Sequence, residues 1–423
     1  MKKFVILFLV FFVSLFCFCQ NSNEIVIKNI NLISMTSNIV TTNKSVVVKD
    51  GKIIQIDNFK KIKINSNATI INGKNQFLMP ALADMHVHLP AESEIESLLS
   101  LNIAAGVTRI RIMNSEVSQI QVKENLSKKL NLISPFLYFS QIIKKEDKFS
   151  EKQFDSIMLQ IKKNNLSFIK VLGIADESTF DNLMSSANKN NIIVCGHYPS
   201  KISIEKVLNS GFRSIEHVGG FDAISDSIKL KEAIALSQKN QTFHCPTLDY
   251  DLMAADLEYP DDYKIRLIFQ FAPKKLLNKW QKDYIKWISE NGSENSLKTK
   301  AAYLPRFEKK QRIVKMLSIA NSNLLLGSDP GNYFQMNGFN VHEEMLNWSR
   351  AEIDNFSILK AATVSASKFF NESKQWGTIE IGKSDHLIIL DKNPLEKIEN
   401  ISTVKTTILN GKIYSKSLMS DKK

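Results

Sequence analysis

The chain has 423 residues, enough for one large catalytic domain with a smaller companion, so its folding needs neither disulfides nor a metal. Its formal net charge of +12 comes from lysines that are spread along the whole length and alternate with acids, as in KKEDKFSEKQ. The sequence contains no arginine-rich or aromatic-interleaved stretch, so we exclude a nucleic-acid-binding protein and expect a solvated basic surface.

The first 19 residues predict a secretory signal peptide. A basic start, MKK, precedes an apolar run from Phe4 to Cys19, and polar residues follow from Gln20. The run is shorter than the roughly 20 residues that a membrane-spanning helix needs. We therefore expect cleavage before Gln20, export to the periplasm or the medium, and no membrane span in the mature chain. Lipid attachment is disfavoured because a phenylalanine precedes each cysteine of the run.

Two cysteines, Cys195 and Cys245, remain after such a cleavage. Two are too few for a disulfide scaffold in an exported protein. They are interpreted as buried core residues, with one bridge between them as the alternative.

Both ends of the chain are rich in short β-branched runs. Residues 20–79 contain IVIKNINLIS, SVVVKDGKIIQI and ATIINGKNQFLMP, and residues 371–423 contain DHLIILDKNP and TVKTTILNGKIY. The pairs Asp50-Gly51 and Asn410-Gly411 indicate hairpin turns. We therefore expect one small β-sandwich domain built from both ends.

Residues 80–370 alternate between apolar strand-like runs and amphipathic segments. The runs are ALADMHVHL, GVTRIRIM, PFLYFSQII, LSFIKVLG, NIIVCGH, GFRSIEHV, QTFHCPTL and NLLLGSD. Segments with helical spacing, such as EKQFDSIMLQIKKN, separate most of them. Eight strands alternating with helices predict an α/β fold of the (β/α)8 TIM-barrel type.

One interval between strands, residues 248–322, is unusually long. It contains PKKLLNKWQKDYIKWISENG and PRFEKKQRIVKMLSIA, both helical in pattern, with GSENS between them. An insertion between the seventh and eighth strands lies at the barrel mouth, where catalytic loops gather. It is interpreted either as a substrate-selecting cap or as a helical hairpin without a functional role.

Polar residues end several of the apolar runs. His86 and His88 are two residues apart and share one face of the first strand, as a metal-ligand pair would. His197 and His217 end two later strands, and Asp329 ends LLLGSD, where a carboxylate can bind metal or act as a general base. Four of seven histidines at strand ends favour one metal site.

Lys170 lies inside the apolar strand LSFIKVLG, where a charged lysine is costly. One interpretation is an ion-paired or snorkelling lysine. The other is a lysine that joins the metal site in a form without its positive charge.

These motifs together resemble the amidohydrolase superfamily, in particular its imidazolonepropionase-like and Xaa-Pro dipeptidase-like branch. The resemblance rests on MPALADMHVHL, the fourth-strand lysine, GH, IEH, GSD and GTIEIGKSDHLIILDKNPLEKI in this order. It implies a hydrolase of amide-type C–N bonds with two divalent metal ions, commonly zinc, and a small amide or peptide-like substrate. Oligomerisation stays open.

The resemblance also implies a role for each ligand. His86 and His88 would bind the more buried metal, and His197 and His217 the more exposed one. Lys170, in carboxylated form, would bridge them. Asp329 would bind the buried metal and act as the catalytic base that takes a proton from the attacking water.

The chain departs from the family pattern at three positions. Ala81 replaces a glycine, and the Arg-Asp pair that often follows the second strand is absent, although Arg111 remains. His386 stands in KSDHL, where relatives have Lys-x-Ala-Asp-Leu, and belongs to the outer domain.

Candidate substrate-binding residues are Tyr198, Arg111 and His342. For the tyrosine, packing is the competing interpretation, and for His342 it is helix capping or surface placement. His244 is interpreted as a core or supporting residue.

Two other functions remain open at this point. A mononuclear deaminase or imidazolone-type ring hydrolase would use the same fold without a bridging lysine. A non-catalytic exported binding protein would keep the barrel but would typically lose ligands.

Overall fold

The computed structural model of the chain describes residues 24–115, 117–255, 272, 274–331 and 334–415, so the expected signal peptide lies outside the described residues. The described strands are β1 (Glu24–Ile33), β2 (Val40–Lys49), β3 (Lys52–Asp57), β4 (Thr69–Asn72), β5 (Phe77–Pro80), β6 (Leu82–Leu89), β7 (Val107–Ser115), β8 (Phe136–Tyr138), β9 (Ser140–Ile143), β10 (Phe168–Val171), β11 (Val194–Gly196), β12 (Ser214–Glu216), β13 (Phe243–Cys245), β14 (Asn323–Leu324), β15 (Leu387–Leu390), β16 (Val404–Leu409) and β17 (Lys412–Ser415). The described α-helices are α1 (Ile95–Ala104), α2 (Gln119–Ser127), α3 (Glu151–Lys163), α4 (Glu177–Asn190), α5 (Ile204–Asn209), α6 (Ser227–Lys239), α7 (Leu248–Ala255), α8 (Lys274–Asn291), α9 (Ser293–Ile319), α10 (Asn340–Arg350), α11 (Asn355–Ala361) and α12 (Val364–Phe369).

Both ends of the chain meet in one sheet. Its strand order is β17-β16-β15-β5-β1-β2-β3, and β4 also pairs with β1. Asn29 has a left-handed backbone (φ 59°) between the part of β1 that pairs with β4 and the part that pairs with β5. Ile53 N donates to Lys383 O and Gly382 N donates to Ile53 O, which joins β3 to the segment before β15. The apolar side chains of both ends share one core, so the ends form one small unit built on this single sheet.

Nine parallel strands in the described part of the chain form two further sheets. The first has the order β6-β7-β8 and the second β9-β10-β11-β12-β13-β14, with neighbours always consecutive in sequence. β8 and β9 occupy one strand position that is interrupted at Phe139. Hydrogen bonds also join the first strand position to the eighth: Met85 N donates to Leu326 O and Asp329 N donates to His86 O, both at 2.9 Å.

Helices follow every one of the eight strand positions. Parallel strands in ring order with helices between them are the (β/α)8 arrangement, so the fold predicted from the sequence is confirmed. The eighth strand position approaches the first closely at Gly327, where a Cβ would lie 2.5 Å from Cys245 Sγ and 2.8 Å from His86 Cβ. The glycine of the GSD motif therefore allows the eighth strand position to pack on the first.

The insertion after β13 differs in one respect from the sequence-based expectation. A second helix was expected from Pro305, whereas α9 begins at Ser293 and runs through the proline to Ile319. The segment before Pro305 contains alanine, leucine and lysine, which are good helix formers. Only Gly292 of GSENS separates α8 from α9, and the next four residues already belong to α9.

Side-chain contacts hold the helices of the insertion together and attach the insertion to the barrel. Asp251 of α7 and Lys310 of α9 are both buried, and their Oδ2 and Nζ atoms lie 2.5 Å apart. The ring of Trp280 in α8 packs edge-on against Phe334, with centroids 5.7 Å apart. Among the helices that the structure describes, none has both the length and the apolar character needed to cross a membrane.

Candidate metal centre

The carboxyl ends of the barrel strands bring the predicted ligands together. They are His86 and His88 in β6, Lys170 in β10, His197 after β11, His217 after β12 and Asp329 beyond β14. Asp329 Oδ1 lies 3.8 Å from His86 Nε2 and 3.4 Å from His88 Nε2. The ring centroid of His217 lies 4.9 Å from that of His86 and 5.1 Å from that of His197.

Hydrogen bonds assign the protonated nitrogen of two histidines. His197 Nδ1 lies 3.1 Å from the carbonyl oxygen of Leu172, which can only accept, so Nδ1 donates. Thr247 Oγ1 donates to Pro246 O at 2.8 Å and therefore accepts from His217 Nδ1 at 2.6 Å. In both rings the Nε2 lone pair is left for a metal.

Glu216 supports His86 and is a site residue that sequence reasoning missed. His86 Nδ1 donates to its Oε2 at 2.8 Å, and Arg111 Nη2 donates to Oε1 and Oε2 at 2.8 and 2.9 Å. Burial favours a raised pKa for Glu216, but the charges of Arg111 and Lys170 prevail and lower it. A carboxylate that orients a ligand histidine is a common support of metal sites. The available cue was an acid inside the apolar strand SIE.

Arg111 is enclosed among barrel residues, which argues against the predicted substrate contact. Its side chain is completely buried. Nε donates to Met85 O at 2.6 Å, and Nη1 donates to Ser214 Oγ at 2.9 Å. Together with the bonds to Glu216, these contacts direct the guanidinium into the barrel interior, where it balances the charge of that carboxylate.

The residues present fit a metal centre. His86 Nε2 and Lys170 Nζ are buried and have no hydrogen-bond partner among the described residues. An unpaired buried nitrogen costs free energy, which a coordinated cation would offset. The ligand atoms of His86, His88 and Asp329 all lie within 4.8 Å of one another. Imidazole and carboxylate donors suit zinc and other divalent transition metals.

Burial sets the protonation of these nitrogens. It lowers the pKa of His88 and of His197 to about 4 and the pKa of His86 and of His217 well below 6.5, and the charge of Lys170 adds to each shift. Neutral imidazole is the form that binds metal. Burial also lowers the pKa of Lys170, which Glu216 opposes. The cluster therefore favours neutral nitrogen donors.

Asp329 has the properties of a proton acceptor. Burial raises its pKa to about 7, although the charge of Lys170 opposes the rise. A carboxyl group that titrates near neutrality can take a proton from water and release it again. A cation bound beside it would lower that pKa.

The backbone is strained at the ends of three strand positions. Positive φ angles occur at His217 (61°), Val218 (60°), Thr247 (51°) and Asp329 (42°). Such angles are uncommon for residues other than glycine, and for β-branched residues they are outliers. Strain of this kind concentrates at functional sites, where the surrounding structure enforces it.

Tyr198 and His342 are not directed to the centre. The hydroxyl of Tyr198 donates to Ile202 O, and its ring packs on the loop at Gly220, where a Cβ would lie 2.9 Å from Cγ. The structure thus supports the packing interpretation for Tyr198. His342 is buried in α10 and is not on the surface, and its Nε2 lies 3.0 Å from Ala105 O at the end of α1, which argues against the predicted substrate contact.

The other singled-out residues belong to the core or the outer sheet. His244 is buried, with Nε2 2.6 Å from Ser237 Oγ, which confirms the core interpretation. His386 accepts from Arg109 Nη1 at 2.6 Å next to β15, away from the ligands. Ala81 donates its N–H to His386 O at 2.9 Å. The two described cysteines are buried and free, so no bridge joins them.

Comparisons with known proteins agree with this geometry. The model of the amidohydrolase family matches residues 77–414. A search of curated proteins finds no match. Among solved structures, the chain is similar to a Xaa-Pro dipeptidase with methionine bound in the active site, at a TM-score of 0.69 and 18% identity, over 93% of this chain and 100% of that one.

Two further structures show the same fold. Bottromycin amidohydrolase has a TM-score of 0.69 and 18% identity, over 94% of this chain and 88% of its own. An ochratoxinase from A. niger has a TM-score of 0.67 and 15% identity, over 93% of this chain and 96% of its own. The family and branch inferred from the sequence motifs are confirmed. The chain belongs to the amidohydrolase family and is a hydrolase that acts on carbon–nitrogen bonds.

Proposed function

We propose that the chain is a binuclear metallohydrolase that cleaves the amide bond of a small peptide-like or N-acyl substrate. The observation that carries the proposal is that the six predicted ligands lie at the carboxyl ends of the barrel strands and that two of their buried nitrogens, His86 Nε2 and Lys170 Nζ, have no hydrogen-bond partner among the described residues. The proposed ligands are His86, His88 and Asp329 for the more buried cation, His197 and His217 for the more exposed cation, and carboxylated Lys170 between them.

The proposed cations and the surrounding side chains have separate roles in the reaction. Two divalent cations, with zinc the proposed metal, would supply an acidified water and polarise the scissile carbonyl. Asp329 accepts the proton of the attacking water on its carboxylate and donates it to the leaving amine. Glu216 and Thr247 keep the rings of His86 and His217 in place by accepting from Nδ1.

A buried lysine at the carboxyl end of β10 supports the binuclear proposal over a mononuclear deaminase or ring hydrolase. A mononuclear site needs no bridging group, whereas Lys170 is completely buried and its charge acts on all four ligand histidines. The complete ligand set likewise argues against a non-catalytic binding protein, which would be free to lose ligands.

A substrate screen tests the proposed activity. Metal-loaded protein is offered dipeptides and N-acyl amino acids, beside cyclic imides and aminated ring compounds, and products are identified by mass spectrometry. We expect release of an amino acid from the first group, loss of activity with a chelator, and recovery with zinc. Conversion of the ring compounds alone would support the ring-hydrolase alternative. Complete inactivity at full metal content would support the binding protein.

We also propose that the protein is exported after cleavage before Gln20. The support is the MKK start and apolar run of the sequence. Mass spectrometry of the protein recovered from its source cells would show a chain that begins at Gln20 and occurs outside the cytoplasm. An intact Met1 on cytoplasmic protein would contradict this part of the proposal.

A further inference from the structure

Tyr250 lies at the barrel mouth beside the more exposed ligands. It belongs to the first turn of α7, three residues after Thr247, which holds His217. Its ring centroid lies 6.5 Å from that of His217, and 39% of the residue is exposed. Among the described residues its hydroxyl has no hydrogen-bond partner. Tyr250 is therefore accessible from solvent and from the metal centre.

Arg306 of α9 is a cation that contacts Asp251, the residue after Tyr250 in α7. Its Nε lies 3.7 Å from Asp251 Oδ1, and its side chain is 53% exposed. Asp251 is already paired with Lys310 at 2.5 Å, so the three charges sum to +1. The terminal nitrogens of Arg306 have no hydrogen-bond partner within the part of the chain that the structure describes. This guanidinium edge can bind an anion with two parallel hydrogen bonds.

Charged groups of the centre and of the insertion both act on Tyr250. Burial raises its pKa, the charges of Asp329 and Asp251 raise it further, and the charge of Arg306 lowers it. A tyrosine phenol is in any case protonated at neutral pH and can donate a hydrogen bond. Tyr198, the tyrosine that the sequence suggested for substrate contact, already donates to Ile202 O and lacks this freedom.

A buried network fixes the start of α7 and thus the position of Tyr250. Glu344 accepts from Leu248 N at 2.9 Å and from Asp249 N at 2.7 Å, which caps the helix. Asp249 in turn accepts from Asn347 Nδ2 at 3.0 Å. These hydrogen bonds therefore hold the backbone at Tyr250 in place next to the ligand His217.

We propose that Tyr250 and Arg306 form a subsite for a substrate carboxylate, so that the enzyme prefers amides with a free carboxylate close to the scissile bond. The phenol and the guanidinium donate to the carboxylate while the amide carbonyl faces the ligand cluster. N-acyl amino acids and dipeptides have this chemistry, and uncharged amides lack it. The inference rests on the proposed function and specifies its substrate class.

Paired substrates test the subsite. The best substrate of the dipeptide and N-acyl panel is compared with its analogue in which a hydroxymethyl group replaces the carboxylate, for example N-acetyl-L-leucine with N-acetyl-L-leucinol. Wild-type protein is expected to prefer the carboxylate by about tenfold or more in kcat/KM, the scale of one charge-assisted hydrogen-bonded contact. Arg306→Gln should abolish the preference by raising KM for the carboxylate substrate alone, and Arg306→Lys should retain part of it. Tyr250→Phe should reduce it.

Arg312→Gln, an exposed arginine on the same helix, is the matched control and should behave as wild type. Metal content and thermal unfolding should be equal in all variants. Equal cleavage of both members of the pair by wild type, or an equal loss for both in Arg306→Gln, would overturn the subsite and leave the proposed function intact. Absence of hydrolysis of every amide by metal-loaded wild type would overturn the proposed function and the subsite with it.

Discussion

Individual residues at the strand ends show what the sequence can reveal about this centre. The ligands are recognisable because a polar residue at the end of an apolar strand is unusual and because barrel chemistry collects at that edge. Glu216 and Thr247 escape such reasoning because their partners come from other strands. Glu216 acts on His86 and Arg111 across the barrel, and Thr247 acts on His217 from the neighbouring strand position. Pairings of this kind depend on packing that a single sequence does not specify.

Glu216→Gln tests the support of His86. We expect metal affinity to fall by about 10- to 100-fold, as for other groups that orient ligand histidines. Arg111 would lose its buried counter-charge, which costs about 3–5 kcal/mol. Metal titration and thermal unfolding of the variant measure the two effects.

The matched control for this variant is Glu232→Gln, which removes an exposed carboxylate from α6. It should leave both measurements unchanged. Wild-type metal affinity in Glu216→Gln would show that His86 needs no carboxylate support.

Secondary-structure elements were easier to predict than their local geometry. β6 and α3 match apolar alternation and helical spacing in the sequence, because burial on one or both faces imposes those periods. The start of α9 was misplaced because Pro305 indicated a helix start, whereas the observed helix continues through it. The left-handed turns at His217 and Asp329 were also unforeseen, since the residue types there do not favour them.

Lys310→Met tests how α9 is attached to α7. The change leaves Asp251 buried without its closest partner, so we expect a loss of about 3–5 kcal/mol in stability. Hydrogen exchange should accelerate in α7 and α9 before the rest of the barrel.

The neighbouring change Lys309→Met is the control and should have little effect. Restoration of stability in the double variant Asp251→Asn/Lys310→Met would confirm that the unpaired charge is the cause. Unchanged exchange in Lys310→Met would show that the apolar contacts of the insertion hold it without the ion pair.

At the scale of the whole molecule, buried polar groups connect the outer sheet to the amino-terminal end of the barrel strands. Arg109 donates from Nη1 to His386 Nδ1 at 2.6 Å, and its guanidinium carbon lies 4.3 Å from the centroid of the Trp376 ring. Burial lowers the pKa of His386 well below its usual value, and the charge of Arg109 contributes. Because Nδ1 accepts, the neutral ring is the form that fits this junction.

Stability should therefore depend on pH through His386. A folded-state pKa below the unfolded value of about 6.5 means that the unfolded chain binds the proton first, so the contribution is complete above about pH 6.5 and is lost as the pH falls. One such group contributes up to about 1.4 kcal/mol per pH unit. His386→Gln keeps an acceptor for Arg109 without titrating, so its metal-loaded form should lose less stability than wild type between pH 6.5 and pH 5, as measured by thermal unfolding. Parallel curves for the two proteins would exclude this role.

The metal content per chain tests the central claim most directly. Wild-type protein and Lys170→Ala are each loaded with zinc in the presence of bicarbonate, freed of loose metal, and assayed by elemental analysis. A binuclear centre bridged by carboxylated Lys170 predicts two metal ions in wild type and a loss of at least one in the variant. A single tightly bound ion in wild type that Lys170→Ala retains unchanged would contradict it.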